Sequence, residues 1–154
     1  KKIRSMGRNA SGVRGIRLRD SDVVIGMELA TNDSDTILTI TENGYGKRSL
    51  IEEYRLTNRG GKGVINIKTS ERNGKVVSIN TVKDIHELMF ITKKGKIIRI
   101  AANNISQVGR NTQGVRIMKV DDDKVVSVTR VISSNLPNQI EIGQENSNPQ
   151  ANQE

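Results

Sequence analysis

Cysteine and tryptophan are absent from the 154 residues, proline occurs twice, and the aromatic side chains are only Tyr45, Tyr54 and Phe90. Without thiols there is neither a disulfide framework nor Cys-ligated zinc. Three aromatics are too few for a platform on which the bases of a single strand stack. No run approaches the ~20 apolar residues of a membrane span, and no secretory signal opens the chain. His86 is the sole histidine, so a histidine cluster is excluded, and its place before Leu88–Ile91 marks a surface residue at a strand edge. The chain starts at Lys1 and not at Met, which suggests a piece of a longer protein.

What is present is charge and β-branched hydrophobics. The 25 Lys+Arg and 17 Asp+Glu give +8 overall. Residues 132–154 carry Glu141, Glu145 and Glu154 and no Lys or Arg, so residues 1–131 hold an excess of +11. A basic body attracts a polyanion, of which nucleic acid is the commonest. The segment 132–154 has Pro137, Pro149 and many Asn and Gln, and is expected to be a disordered, weakly acidic tail.

The body repeats with a period of 51 residues. Gly12-Val13 returns as Gly63-Val64 and Gly114-Val115. Arg8, Arg59 and Arg110 form one column, and Arg17, Lys68 and Lys119 another. Chance fills less than one such fully basic column in a chain of this composition, and here two lie in one loop. Ile40-Thr41 and Gly44 return as Ile91-Thr92 and Gly95, and Val-Val pairs recur at 23–24, 76–77 and 125–126. Strands are expected at 37–41, 76–80, 88–92, 97–100 and 115–120, with turns at Glu42–Gly44 and Lys93–Gly95. A short helical turn is expected at 50–54, and no longer helix, since no 3.6-residue apolar period persists. Four short strands per repeat is the arithmetic of a propeller blade. The expectation is an all-β fold of repeated four-stranded blades over residues 1–131, a partial blade and then two fuller ones. Three blades are too few to close a ring, so they form half of a larger disc or meet a second copy.

On the strand after each Gly-Val, alternate residues face opposite ways. Ile16, Ile67 and Met118 then share an inner face, and Arg17, Lys68 and Lys119 the outer one. Repeated on each blade, this gives a positive track suited to a curved duplex. The candidate phosphate contacts are Arg8, Arg14, Arg17, Arg59, Lys62, Lys68, Arg110, Arg116 and Lys119, followed by Lys47, Arg48, Lys96 and Arg99. The bland alternative is a solvated edge, where Lys also blocks aggregation.

Gly109–Val120 (GRNTQGVRIMKV), Lys62–Lys68 (KGVINIK), Glu71–Gly74 before Val76-Val77, and Met6–Leu18 resemble the C-terminal domain of the bacterial DNA gyrase A protein. The resemblance runs over residues 1–131 in consistent order and is to the last three of six blades, with the tail after them. It implies a β-pinwheel, a propeller-like disc whose blades exchange strands and whose basic rim wraps duplex DNA, directing negative supercoiling. It also implies the rest of gyrase A, together with gyrase B, as partners in a cytoplasmic heterotetramer, with ATP and Mg2+ held on other parts of the assembly. The family's Gln-Arg-Arg-Gly-Gly-Lys/Arg-Gly box belongs to its first blade. Thr57–Gly63 echoes it without the Gln and first Arg, so the box's role is not carried over. The related topoisomerase IV domain, which lacks that box, is the alternative, and a propeller-type protein-interaction module is a second one.

No residues point to catalysis by this chain. Gly44–Ser49 fails the phosphate-loop pattern at both ends. Tyr45 and Tyr54 are not read as nucleophiles, because the family's catalytic tyrosine lies in another domain. Tyr54 shares an apolar column with Ile3 and Ile105. Asp121–Asp123 is read as a solvated turn and not as a cation site.

Overall fold

The computed structural model describes residues 4–30 and 35–131, and the expected tail at 132–154 lies outside them. Among the described residues seven strands and two short 3-10 turns are formed, in the order β1 (Thr36–Thr41), β2 (Tyr45–Leu50), the turn Ile51–Glu53, β3 (Val76–Val82), β4 (Glu87–Thr92), β5 (Ile97–Ala101), the turn Ala102–Asn104, β6 (Val115–Arg116) and β7 (Val125–Val131). The described residues contain no helix long and apolar enough to cross a membrane.

Two antiparallel sheets carry the repeat. The first has the order β3-β1-β2-β6 and the second β5-β4-β7. β1, β2 and β3 correspond to β4, β5 and β7. Each hairpin closes on a glycine in the left-handed region, Gly44 at φ 77° and Gly95 at φ 86°, which a side chain would strain. Even the irregularities repeat: the register slips between Ile40 and Thr41 against β3, and between Ile91 and Thr92 against β7. Such a bulge bends the strand and increases its twist.

The sheets pack through β3 and β7. Ser78 Oγ and Asn80 Nδ2 both donate to the Val128 carbonyl at 3.3 Å. Leu38, Ile40, Val82, Leu88, Phe90, Ala102, Ile105, Met118, Val125 and Val128 form one core shared by the two sheets. Phe90 is fully buried within it, and burying such a side chain contributes ~1.5–3 kcal/mol.

Three expectations need correction. The strand expected over 115–120 ends at Arg116. Its partner β2 starts at Tyr45, so beyond Arg116 the ladder meets only the hairpin turn. There Ile117 N and Met118 N both donate to the Gly44 carbonyl. Second, β5 has no counterpart of β6 among the described residues, so the second sheet has three strands. Third, the inner-face column is not uniform: Ile67 and Met118 are each 6% exposed, but Ile16 is 46% exposed. Residues 4–30 form no strand of their own and lie exposed along their length.

Candidate nucleic-acid interface

The glycine loops are joined to one another by a repeated backbone contact. Arg17 N donates to the Gly61 carbonyl and Lys68 N to the Thr112 carbonyl, both at 2.8 Å. Donors and acceptors are each 51 positions apart, so the same junction occurs twice. It places Arg17 and Lys68 at the same point relative to the following loop. All three side chains are exposed. Lys119 also pairs with the exposed Asp121 at 3.0 Å, a contact that solvent weakens.

Asn73 fixes the middle junction. It is fully buried, and its Nδ2 donates to the carbonyls of Lys68 (2.9 Å) and Gln113 (3.0 Å). Its Oδ1 accepts from Ser70 N at 2.7 Å and from Ser70 Oγ at 3.2 Å. One side chain thus ties the turn before β3 to the loops on either side.

The other candidates divide by what they touch. Arg8, Arg14, Arg59 and Lys62 are exposed on the glycine loops. Lys62 also lines a small cleft with Arg17 and Arg19. Arg110 is only partly exposed, and its guanidinium donates to the Ile65 carbonyl. Lys96 is exposed beside the second hairpin, and Arg99 is engaged by Glu87.

Lys47 and Arg48 are not surface contacts. They are 0% and 6% exposed. Lys47 Nζ donates to Ser49 Oγ (2.8 Å) and to the carbonyls of Gly109 (2.9 Å) and Arg110 (2.7 Å). Burial pushes its pKa down to about 8, against the raising effect of Glu53. Arg48 Nε donates to the Ile105 carbonyl at 2.9 Å, and its Nη1 pairs with Asp84. β2 lies between β1 and β6 and is roofed by the segment 105–110, where Arg48 N and the Arg48 carbonyl bond Ser106 and Val108. These two cations therefore organise the loop that carries Arg110 and do not reach solvent. The sequence holds one signal of this: position 47 is matched by Ile98 in the next repeat, an inward-facing column.

Sequence reasoning missed Arg72, which has no basic counterpart one period away. Arg72 Nε donates to the Tyr45 hydroxyl at 3.3 Å, and Arg116 does so through Nε (3.2 Å) and Nη2 (2.8 Å). Both guanidinium carbons stand over the Tyr45 ring, 4.9 and 5.4 Å from its centroid. The two hydrogen-bonded cations lower the tyrosine's pKa. His86 is half-buried, its Nδ1 accepting from Lys83 N at 3.0 Å. Among the described residues no group of three or more His, Asp or Glu is placed to hold a metal.

Comparison with known proteins agrees with this architecture. The family model of the DNA gyrase C-terminal domain, beta-propeller, matches residues 1–31, 35–83 and 86–132. The DNA gyrase A protein of Staphylococcus epidermidis is 48% identical over 132 residues, covering 85% of this chain and 15% of that protein. Its Staphylococcus aureus counterpart is 50% identical over 126 residues, covering 81% and 14%. The chain thus spans about one-seventh of the length of these relatives. A solved DNA gyrase A C-terminal domain superposes with a TM-score of 0.76 at 29% identity, over 84% of this chain and 44% of that one. A topoisomerase IV C-terminal domain has the same fold, with a TM-score of 0.78 at 23% identity, over 84% of this chain and 41% of that one. With its repeated blades, its chained glycine loops and a family match running over nearly all of residues 1–132, the chain belongs to the DNA gyrase C-terminal domain family.

Proposed function

We propose that this chain is a non-catalytic module that binds and bends duplex DNA along the Arg17/Lys68/Lys119 column, as part of a gyrase-type topoisomerase. The observation that carries the reading is the recurring junction, Arg17 N to Gly61 O and Lys68 N to Thr112 O, which presents two exposed cations in the same setting, with Lys119 exposed at the equivalent place in the third repeat. Cations spaced by a rigid repeat match phosphates spaced along a duplex and read no base edges. Sequence preference then comes from how readily the duplex bends. In the whole enzyme the module serves strand passage carried out elsewhere, in a cytoplasmic assembly of gyrase A and gyrase B with ATP and Mg2+ on other parts.

The test is fluorescence anisotropy of a labelled duplex of about 40 base pairs titrated with the full chain at several salt concentrations. Each neutralised phosphate contributes about −0.9 to the slope of log K against log salt. The double variant Lys68→Gln/Lys119→Gln should therefore lose about 1.8 of that slope while keeping its unfolding transition. A folded double variant with the unaltered slope refutes the assignment of the column.

A further inference from the structure

The Tyr45–Arg72–Arg116 cluster is built differently from the rest of the basic surface. Tyr45 and Arg116 are direct cross-strand partners in the β2–β6 ladder. Arg72 comes from the turn before β3, where Asn43 Nδ2 holds the Glu71 and Arg72 carbonyls at 3.1 and 3.2 Å. Two like-charged guanidinium groups are thus fixed over one ring, and among the described residues neither has a carboxylate within ion-pair distance. The nearby Asp121 is engaged by Lys119. The cluster lines an open cleft of about 340 Å³ together with Asn43, Met118, Lys119, Val120 and Asp121. The tyrosine hydroxyl takes Arg72 Nε and one edge of Arg116, leaving the Nη1/Nη2 side of Arg72 and Nη1 of Arg116 with free donors. Planar donors held in a fixed fork are suited to phosphate oxygens. Solvent and the tyrosine ring temper the mutual repulsion of these exposed cations, and an anion between them relieves it further.

We infer that Arg72 and Arg116, oriented by Tyr45, grip a single backbone phosphate of the bound duplex and so set its position on the blade. This rests on the duplex-binding reading above. One repeat further on, Lys96 stands in place of Tyr45, and the turn before β7 carries Asp121, Asp122 and Asp123 where the turn before β3 carries Arg72. Of the two described blades, only the first has the grip. It acts as a fixed point on a track whose column cations, Arg17, Lys68 and Lys119, lie exposed.

The same anisotropy titration, run on the full chain, separates the possibilities. Because both guanidinium groups serve one phosphate, the double variant Arg72→Gln/Arg116→Gln should lose about 0.9 of the salt slope and neither single variant more than that. Tyr45→Phe keeps the ring and both cations but removes the orienting oxygen, and should weaken binding at fixed salt by at least about threefold. A double variant with the wild-type slope overturns the grip, and so does one that loses about 1.8, as two separately neutralised phosphates would. An unchanged affinity in Tyr45→Phe overturns the orienting role. Arg72→Lys and Arg116→Lys, which keep the charge, should retain most of the slope and cover the case in which a glutamine variant fails to fold. Wild-type chain that does not bind duplex at all overturns the underlying DNA reading instead.

Discussion

Lys47 Nζ donates to the Arg110 carbonyl oxygen at 2.7 Å, so a cation with no solvent exposure holds the backbone of a residue 63 positions away. With the adjoining bond to Gly109, it pins the loop from which β6 departs. Burying an ammonium group is costly unless its hydrogen bonds are all met. Here Ser49 and the two carbonyls meet all three.

Lys47→Met should destabilise the chain by about 2–4 kcal/mol, since it leaves two carbonyls of the roofing loop without donors. Urea unfolding followed by circular dichroism measures this. A loss below about 0.5 kcal/mol would mean that water replaces the ammonium group freely.

The pH profile of the wild type carries the same group's signature. Its pKa falls from 10.5 in the unfolded chain to about 8 when folded. Between those values the unfolded chain binds more protons, so stability rises with pH. Below pH about 8 both forms are protonated and this contribution is flat. The gain across the window is at most about 3 kcal/mol. The wild-type profile minus that of Lys47→Met should show this rise between pH 8 and 10, and a flat difference would place the amine in contact with solvent.

Asn73→Ala should cost about 2–3 kcal/mol, because its amide serves four partners from a fully buried position. It should also weaken duplex binding beyond what its lack of charge suggests, since the Lys68 backbone loses its anchor. Unfolding midpoints and anisotropy on one preparation check both effects.

Gly114→Ala and Gly95→Ala form a matched pair. Both glycines have positive φ, 74° and 86°. A Cβ on Gly114 would lie 2.7 Å from the Gly46 carbonyl oxygen, whereas one on Gly95 meets nothing within 4 Å. The Gly95 variant should lose only the left-handed strain of ~1–2 kcal/mol. The Gly114 variant should lose about 2–4 kcal/mol, because the β2–β6 ladder must part. Equal losses in thermal unfolding would count against the close approach of these two strands.

Most of the fold was legible because it repeats. Ile37–Thr41 and Leu88–Thr92 announce themselves as strands by their period, and the glycines after them as hairpin turns. The 3-10 turn at Ile51–Glu53 falls within the short helical stretch expected at 50–54. The candidate site was legible only in part. The exposed column of Arg17, Lys68 and Lys119 was legible from the 51-residue repeat and not from strand alternation, since none of the three lies on a strand. The burial of Lys47 and Arg48 does not, because the loop that covers them lies about 60 residues downstream and local charge reads as surface. Arg72 escaped for the opposite reason: it has no basic counterpart one period away, so a search for repeated cations passes over it.

The first sheet is completed by β6, whose Val115 pairs with Gly46 from the far end of the chain. During synthesis the β1–β2 hairpin leaves the ribosome well before Val115 does. At ~5–20 residues per second, the outer edge of β2 stays bare on the order of 3–13 seconds. A bare edge recruits stray strands unless charge deters them. Lys47 and Arg48 are costly to bury once enclosed, yet before β6 arrives they put two charges on the β2 strand, and charge on an open edge opposes stray pairing.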